Sequence, residues 1–450
     1  MMETPSSKIV FTRQQRIAEL AQRAPQLGFT TLSHHLDRCW LYEAYLATRP
    51  DGAVGVDGQT CADFTANLAG NLQALEDRAK SGTYRAAPVR RVRIPKGTGT
   101  ETRPLGIPTF EDKVLQRAVV MALEPIYEQD FRDCSYGFRP GRSAHQALQA
   151  LWKQTMAMGG GWIVEVDIRK FFDTLDHAHL RALLRQRVRD GVLLRLISKW
   201  LHAGVLEQGC LTYPDSGTPQ GGVISPLLAN LFLHYAFDAW MARTFAHIRF
   251  ERYADDIICH CKSAEEARAL WSAIADRFAV CKLVLHPEKT KIVYCKDVNR
   301  RGDFPNIHFD FLGFQFRARK IMWQKPGRRI FAHSFQPAAS PKALTRISRE
   351  IRGWALHHRS DKSLTELATM YNPCIRGWIT YYSHFYGTQL RPTLTRIDAY
   401  VIRWARRKFK RLRHQTKGGR EWFGRLRCAN PTLFAHWPLC HGNGRTSGAV

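Results

Sequence analysis

Paired cysteines are missing from this chain. It carries 11 cysteines in 450 residues. No two stand in Cys-x-x-Cys spacing, and Cys259 and Cys261 lie one residue apart. That pattern excludes a disulfide framework and reads as a reduced, intracellular protein. Long apolar runs are missing as well. The most apolar stretch, Val223 to Trp240, is broken by Ser225, Pro226, Asn230, His234 and Asp238. It reads as a buried helix rather than a membrane span, so no membrane partner is expected. Met1 to Val10 is mostly polar, unlike a secretory leader. A cytoplasmic address follows, the bacterial cytoplasm or nucleoid, with an organelle as the alternative. There is no internal repeat and no low-complexity linker. Acids are outnumbered, 39 Asp+Glu against 67 Lys+Arg, for a net charge of +28. Such a surplus points to a polyanionic partner, above all nucleic acid.

What is present is a globular chain. Hydrophobic residues make up 44%, and the length calls for two or three domains. Residues up to about 60 read as one or two helices ending in the turn-rich Gly52 to Gly58. A helix is predicted from Phe64 to about Lys80. Val89 to Lys96 alternates apolar and basic residues, the mark of a strand with one wet, cationic face. Gly97-Thr98-Gly99 reads as a hairpin turn, and Arg103 to Pro108 is extended again. Val114 to Phe131 has helical spacing interrupted near Pro125. Trp162 to Asp167 is a short strand, Asp176 to Val188 and Glu265 to Leu283 are helices, and Phe309 to Phe316 alternates as one strand. Three helices are expected over 342–358, 364–386 and 394–412, and the segment after Cys440 reads as frayed. The mixture implies an α+β class with ferredoxin-like order.

The densest signal is Tyr253-Ala254-Asp255-Asp256. Apolar runs flank it, so it reads as strand, tight turn, strand, with two carboxylates at the turn. Asp-Asp is a poor hairpin turn beside Asn-Gly or Asp-Gly. Like charges so placed raise one another's pKa unless a cation neutralises them, and a hard dication with oxygen ligands does so. Asp167 ends another short strand. If that strand pairs with the hairpin, three carboxylates meet at one sheet edge, where two divalent ions could serve in-line nucleotidyl transfer. The plainer reading of Asp167 is a cap for the next turn. Gly217-Thr218-Pro219-Gln220-Gly221-Gly222 then leads into an apolar helix through Ser225, Pro226 and Asn230. Backbone N–H groups at such a junction suit a phosphate or sugar.

In combination these motifs resemble the group II intron-encoded reverse transcriptase/maturases, over roughly residues 35 to 435. The matching segments are Val166 to Asp173, Pro219 to Asn230, Tyr253 to Asp256, His286-Pro287-Glu288-Lys289-Thr290 and Phe311-Leu312-Gly313-Phe314. The resemblance implies a right-hand polymerase, with fingers and a palm bearing an antiparallel ferredoxin-like sheet, followed by an all-helical thumb/maturase domain. It divides the chain into an N-terminal extension (1–60), fingers (61–160), palm with part of the fingers (161–334), thumb/maturase (335–415) and a basic DNA-binding tail (416–450). It implies that Asp167, Asp255, Asp256 and the Ile168 carbonyl hold two Mg²⁺ ions, with Mn²⁺ as a substitute. Phe172, with Phe171 as the fallback, would be the aromatic gate against a 2′-hydroxyl. Lys96 and Arg103 would grip the triphosphate of a deoxynucleotide, although a solvated strand face is their plainer reading. Gln220 would lie over the incoming nucleotide, and Lys289 would act as general acid toward pyrophosphate. Phe311, Leu312 and Gly313 would grip the primer.

The C-terminal part is basic and aromatic. Val401 to Arg427 holds 11 Lys+Arg against one acid, Glu421. Phosphate contacts are expected there, involving Arg406, Arg407, Lys408, Lys410 and Arg411, and Arg376 upstream. Trp378 and Tyr382 read as core. Cys428, His436, Cys440 and His441 lack zinc-site spacing, so neither zinc nor the family's endonuclease domain is expected. The resemblance thus implies an RNA-directed DNA polymerase that copies an RNA template from a DNA primer. It would also bind group II intron RNA as a ribonucleoprotein, assist splicing and support retrohoming into target DNA. Two rivals are a domesticated relative in DNA repair or phage defence, and a splicing factor without polymerase activity. Protein partners are not legible.

Overall fold

The structure is a computed structural model that describes residues 5–95, 102–158, 161–325 and 328–441. The chain forms two compact units, one of residues 1–151 and 158–292, the other of 152–157 and 293–450.

The first unit is built around the helix Phe110–Asp130, whose Val114, Leu115, Ala118, Val119, Ala122, Leu123 and Ile126 are buried. It runs unbroken through Pro125, against the expected interruption. A proline lacks the N–H that would bond four residues back. Here the freed Met121 carbonyl accepts instead from the Gln14 side chain at 3.0 Å. Gln14 belongs to the helix Pro5–Arg23, which buries Val10, Ile17 and Ala21. A buried arginine satisfies a carbonyl in the last turn of that helix and two in the segment just after it. Arg187 donates to the carbonyls of Ala21 (3.1 Å), Ala24 (2.9 Å) and Leu27 (3.2 Å) and pairs with Asp130 at 3.0 Å.

Two sheets belong to this region. One contains β1 (Val89–Pro95), β2 (Thr102–Ile107), β4 (Val205–Glu207) and β5 (Cys210–Thr212) in the order β2-β1-β4-β5. The other has the order β6-β7-β3-β8, from β3 (Trp162–Val166), β6 (Arg249–Tyr253), β7 (Asp256–Cys261) and β8 (Lys291–Tyr294). Its β3–β7 and β6–β7 pairs are antiparallel. The helix Ala264–Val280 buries Ala267, Leu270, Ile274 and Phe278, a helical stripe. The apolar stretch read as one helix is Ser225–Leu233, a π-helical turn His234–Asp238 and Ala239–Thr244.

The second unit holds β9 (His308–Phe311), β10 (Phe314–Lys325) and β11 (Arg328–Ala339), an antiparallel sheet in the order β11-β10-β9. The single strand expected over 309–316 is therefore a hairpin. Leu312 (φ 49°) and Gly313 (φ 79°) both take left-handed conformations, the requirement of a tight two-residue turn. The apolar positions shift from odd (Phe309, Phe311) to even (Phe314, Phe316) across the turn, and the single-strand reading passed over that break. Phe309 faces Phe316 with ring centroids 4.8 Å apart. The expected start of an all-helical region at 335 also falls inside β11. After it come the helices Pro341–Gly353, Leu364–Tyr382, Arg391–Lys408 and Thr416–Ala429. Tyr382 is buried and Trp378 is half-buried, stacked on Trp354 at 5.4 Å. Among the described residues no helix is long and apolar enough to cross a membrane.

Candidate active site

Register brings the carboxylates together. In the β3–β7 ladder Val166 pairs with Ile257, so the next step sets Asp167 opposite Asp256. In the β6–β7 ladder Tyr253 pairs with Asp256, leaving Ala254 and Asp255 as a two-residue turn. Ala254 takes φ 55°, costly for a residue with a Cβ. Asp256 is open to solvent yet crowded by protein. That crowding, with the charges of Asp255 and Asp167, pushes its pKa up to about 7. Asp255 is raised by burial and by Asp167, partly offset by Arg103 and Arg252. The three acids thus feel one another, and Arg103, Arg252 and Lys289 offset them in part. The Lys289 ammonium, half exposed, lies 3.8 Å from Asp167 Oδ2. Among the described residues no three His, Cys, Asp or Glu side chains are gathered closely enough to hold a metal ion by themselves. The donor set nonetheless fits a hard dication, which would relieve the mutual repulsion.

Ile168 sits in a bridge with Leu285 whose hydrogen bonds run through its neighbours. His286 N–H donates to the Asp167 carbonyl and Arg169 N–H to Val284, both at 2.8 Å. The Ile168 carbonyl is therefore left out of that pairing. Thr290 Oγ1 donates to the Asp167 carbonyl at 3.1 Å, fixing the strand end.

The turn itself rests on a buried network that the sequence reading missed. Arg252 is fully buried. Its guanidinium donates to both Asp238 oxygens (2.8 and 2.5 Å), to Asn230 Oδ1 (2.9 Å) and to the Ala254 carbonyl (3.0 Å). Asn230 Nδ2 donates to the Gly137 carbonyl at 2.6 Å. Gly137 presses on the turn so closely that a Cβ there would meet the Ala254 nitrogen at 2.4 Å. The available signal was Asp238, a charge inside the most apolar stretch of the chain.

A pocket of about 210 Å³ is lined by Phe172, Asp173, Gln220, Arg91, Pro104 and Gly106, among others. Phe172 is half exposed there, whereas Phe171 is buried against Phe232 at 6.3 Å. Several amides of the glycine-rich loop and its helix junction are taken up within the protein. The N–H groups of Gly217, Thr218 and Gly222 donate to the carbonyls of Leu175, Phe172 and Pro219. Those of Val223 and Ile224 go to Gln116 Oε1. Close backbone approach is the reason for glycine: a Cβ on Gly217 would meet the Phe172 and Asp173 carbonyls at 2.8 Å. The loop is a mount for Gln220, whose Nε2 donates to Asp173 Oδ1 at 3.1 Å. Arg103 is exposed on β2, and Lys96 lies outside the described residues.

The remaining candidates lie in the second unit. Phe311 is buried, and the turn beside it is held by Tyr381, which donates to the Leu312 carbonyl at 2.8 Å. Tyr382 packs on Gly313, where a Cβ would meet its Oη at 3.1 Å. Arg376 is exposed. Arg406, Arg407 and Lys408 form the last turn of Arg391–Lys408, with Lys410 and Arg411 in the next 3₁₀ turn. Arg403, Arg406, Arg407, Arg413 and His357 line a basin of about 320 Å³. Burial and neighbouring cations lower the His357 pKa. His436 and His441 face Asp398 at 2.8 and 2.7 Å and Trp437 donates to it at 3.0 Å, so these histidines clamp the end of the described chain.

Residues 94–316 match the family described as reverse transcriptase (RNA-dependent DNA polymerase), and residues 344–422 the group II intron, maturase-specific domain. Protein YkfC of Escherichia coli (strain K12) is 40% identical over 240 residues, 52% of this chain and 62% of that protein. Group II intron-encoded protein LtrA of Lactococcus lactis subsp. cremoris is 40% identical over 225 residues, 49% of this chain and 37% of LtrA. Nuclear intron maturase 2, mitochondrial, of Arabidopsis thaliana is 35% identical over 102 residues, 23% of this chain and 13% of that protein. The chain thus spans between about a third and two thirds of the first relatives' lengths.

Proposed function

From its membership of the group II intron reverse transcriptase/maturase family, we propose that this chain is an RNA-directed DNA polymerase that also binds intron RNA and assists its splicing. The observation that carries the reading is the register that sets Asp167 opposite Asp256, beside the Asp255 turn. The primer 3′-hydroxyl attacks the α-phosphate of a deoxynucleotide and pyrophosphate leaves. Divalent ions, magnesium foremost, would be held by Asp167, Asp255, Asp256 and the Ile168 carbonyl, and would activate the hydroxyl and stabilise the leaving oxygen. Lys289, whose ammonium lies 3.8 Å from Asp167 Oδ2, would give a proton to the departing pyrophosphate. Phe172, half exposed in the pocket, would exclude a ribose 2′-hydroxyl, and Gln220 would rest on the incoming nucleotide. Arg103 and Lys96 would meet the triphosphate. The hairpin turn at Phe311, Leu312 and Gly313 would grip the primer. The basic basin, with Lys408, Lys410, Arg411 and Arg376, would take phosphates of structured intron RNA and of target DNA. Retrohoming by target-primed copying would follow from the two activities together.

The test is primer extension on a homopolymeric RNA template. Asp255→Ala should give no product while intron RNA is retained as by the parent chain. Full extension by that variant overturns the assignment.

A further inference from the structure

Phe138 breaks two rules at once. It is 58% exposed, unusual for phenylalanine, and it takes φ 56°, a left-handed conformation that aromatic residues rarely adopt. The segment around it is not slack. Ser135 bridges Arg252 of β6 in parallel, and Tyr136 N–H donates to the Arg252 carbonyl at 2.8 Å. Gly137 is pinned by Asn230 and by the Ala254 turn. Arg139, nearly buried, holds Glu128 and the carbonyls of Arg132 and Ser135. A strained conformation fixed on both sides, which pushes a ring into solvent, signals a use for the ring.

Its neighbour tells which use. The Phe138 ring lies 6.4 Å from that of Tyr253. Tyr253 pairs with Asp256 and so shares its sheet face. On the polymerase reading a primer 3′-hydroxyl comes to these carboxylates, and Tyr253, on the face of Asp256, brings Phe138 to that side of the sheet. We propose that Phe138, with Tyr253, is a platform on which the terminal base of the primer stacks. The inference rests on the polymerase reading above. Stacking tolerates every base, as a template-directed enzyme requires, and acts on the primer rather than on the incoming nucleotide.

The experiment compares two primers on one RNA template, ending in an ordinary nucleotide or in an abasic one that keeps its 3′-hydroxyl. On the ordinary primer, Phe138→Ala should weaken primer–template binding roughly ten-fold, the size of one lost stack, with the KM for deoxynucleotide unchanged. On the abasic primer the parent chain should itself be weakened, and the variant should cost nothing more. Phe138→Tyr should restore binding. Phe138→Gly should bind as weakly as the alanine variant while melting no lower than the parent, because glycine takes this φ freely. An equal penalty on both primers, no penalty at all, or failure of tyrosine to rescue overturns the platform. If the parent chain extends neither primer, the polymerase reading falls instead.

Discussion

Arg252 shows how much of the Asp255 turn is decided by a side chain fully buried behind it. Its one guanidinium satisfies Asp238, Asn230 and the Ala254 carbonyl together. Arg252→Met leaves Asp238 buried and unpaired, and should lower unfolding stability by about 3–5 kcal/mol, measured in urea. Replacing the pair together, Arg252→Met with Asp238→Leu, should recover most of that loss. Primer extension by the double variant should stay depressed, because Asn230 and Ala254 remain without their common donor. Recovery of full extension would show the turn to be self-supporting. The carboxylates were legible in the sequence because acids ending short apolar strands have few structural reasons to be there. Arg252 was not. Its meaning depends on Asp238, 14 residues earlier, and only the folded chain brings them together.

Elements were legible where one face is buried and poorly legible where a two-residue turn sits inside an apolar run. The helix Ala264–Val280 and the strands around Asp255 follow their periodicity. The β9–β10 turn announces itself only by a change of parity, from Phe309 and Phe311 to Phe314 and Phe316, and apolar Leu312 blurs that change. Gly313→Ala should cost about 1–2 kcal/mol in thermal unfolding, since it strains φ 79° and crowds Tyr382. An unchanged melting temperature would mean the turn relaxes freely. The helix Phe110–Asp130 carries a different liability near its start. Asp112 is buried, accepts from Thr109 Oγ1 at 2.9 Å and from Tyr84, and has its pKa raised from 3.8 to about 7, chiefly by burial. Between those values the unfolded chain loses the proton and the folded chain keeps it. The contribution of Asp112 to stability therefore declines as pH rises from about 4 to about 7 and is level above that. Asp112→Asn should flatten that part of the profile, raising the melting temperature relative to the parent at pH 8 but not at pH 4.

At the scale of the whole molecule the +28 charge was legible from composition, and its densest stretch proved to frame a basin. Replacing Arg403, Arg406, Arg407 and Arg413 by glutamine should flatten the slope of log K against log salt for RNA binding by about 3, each lost phosphate contact counting 0.7–0.9. Anisotropy titrations at several salt concentrations measure it, and an unchanged slope would place the RNA elsewhere. The assignment of residues 152–157 to the second unit was not legible. It depends on contacts such as Trp152 with Phe385 at 6.3 Å, far apart in the chain. Distance along the chain also governs Arg187. A recombinant version begun beyond Phe29 would strip three carbonyl acceptors from that guanidinium, expose the apolar flank of Phe110–Asp130, and leave Met121 without its borrowed donor. The N-terminal helix is a wall of the first unit, and such a shortened protein should be recovered from inclusion bodies.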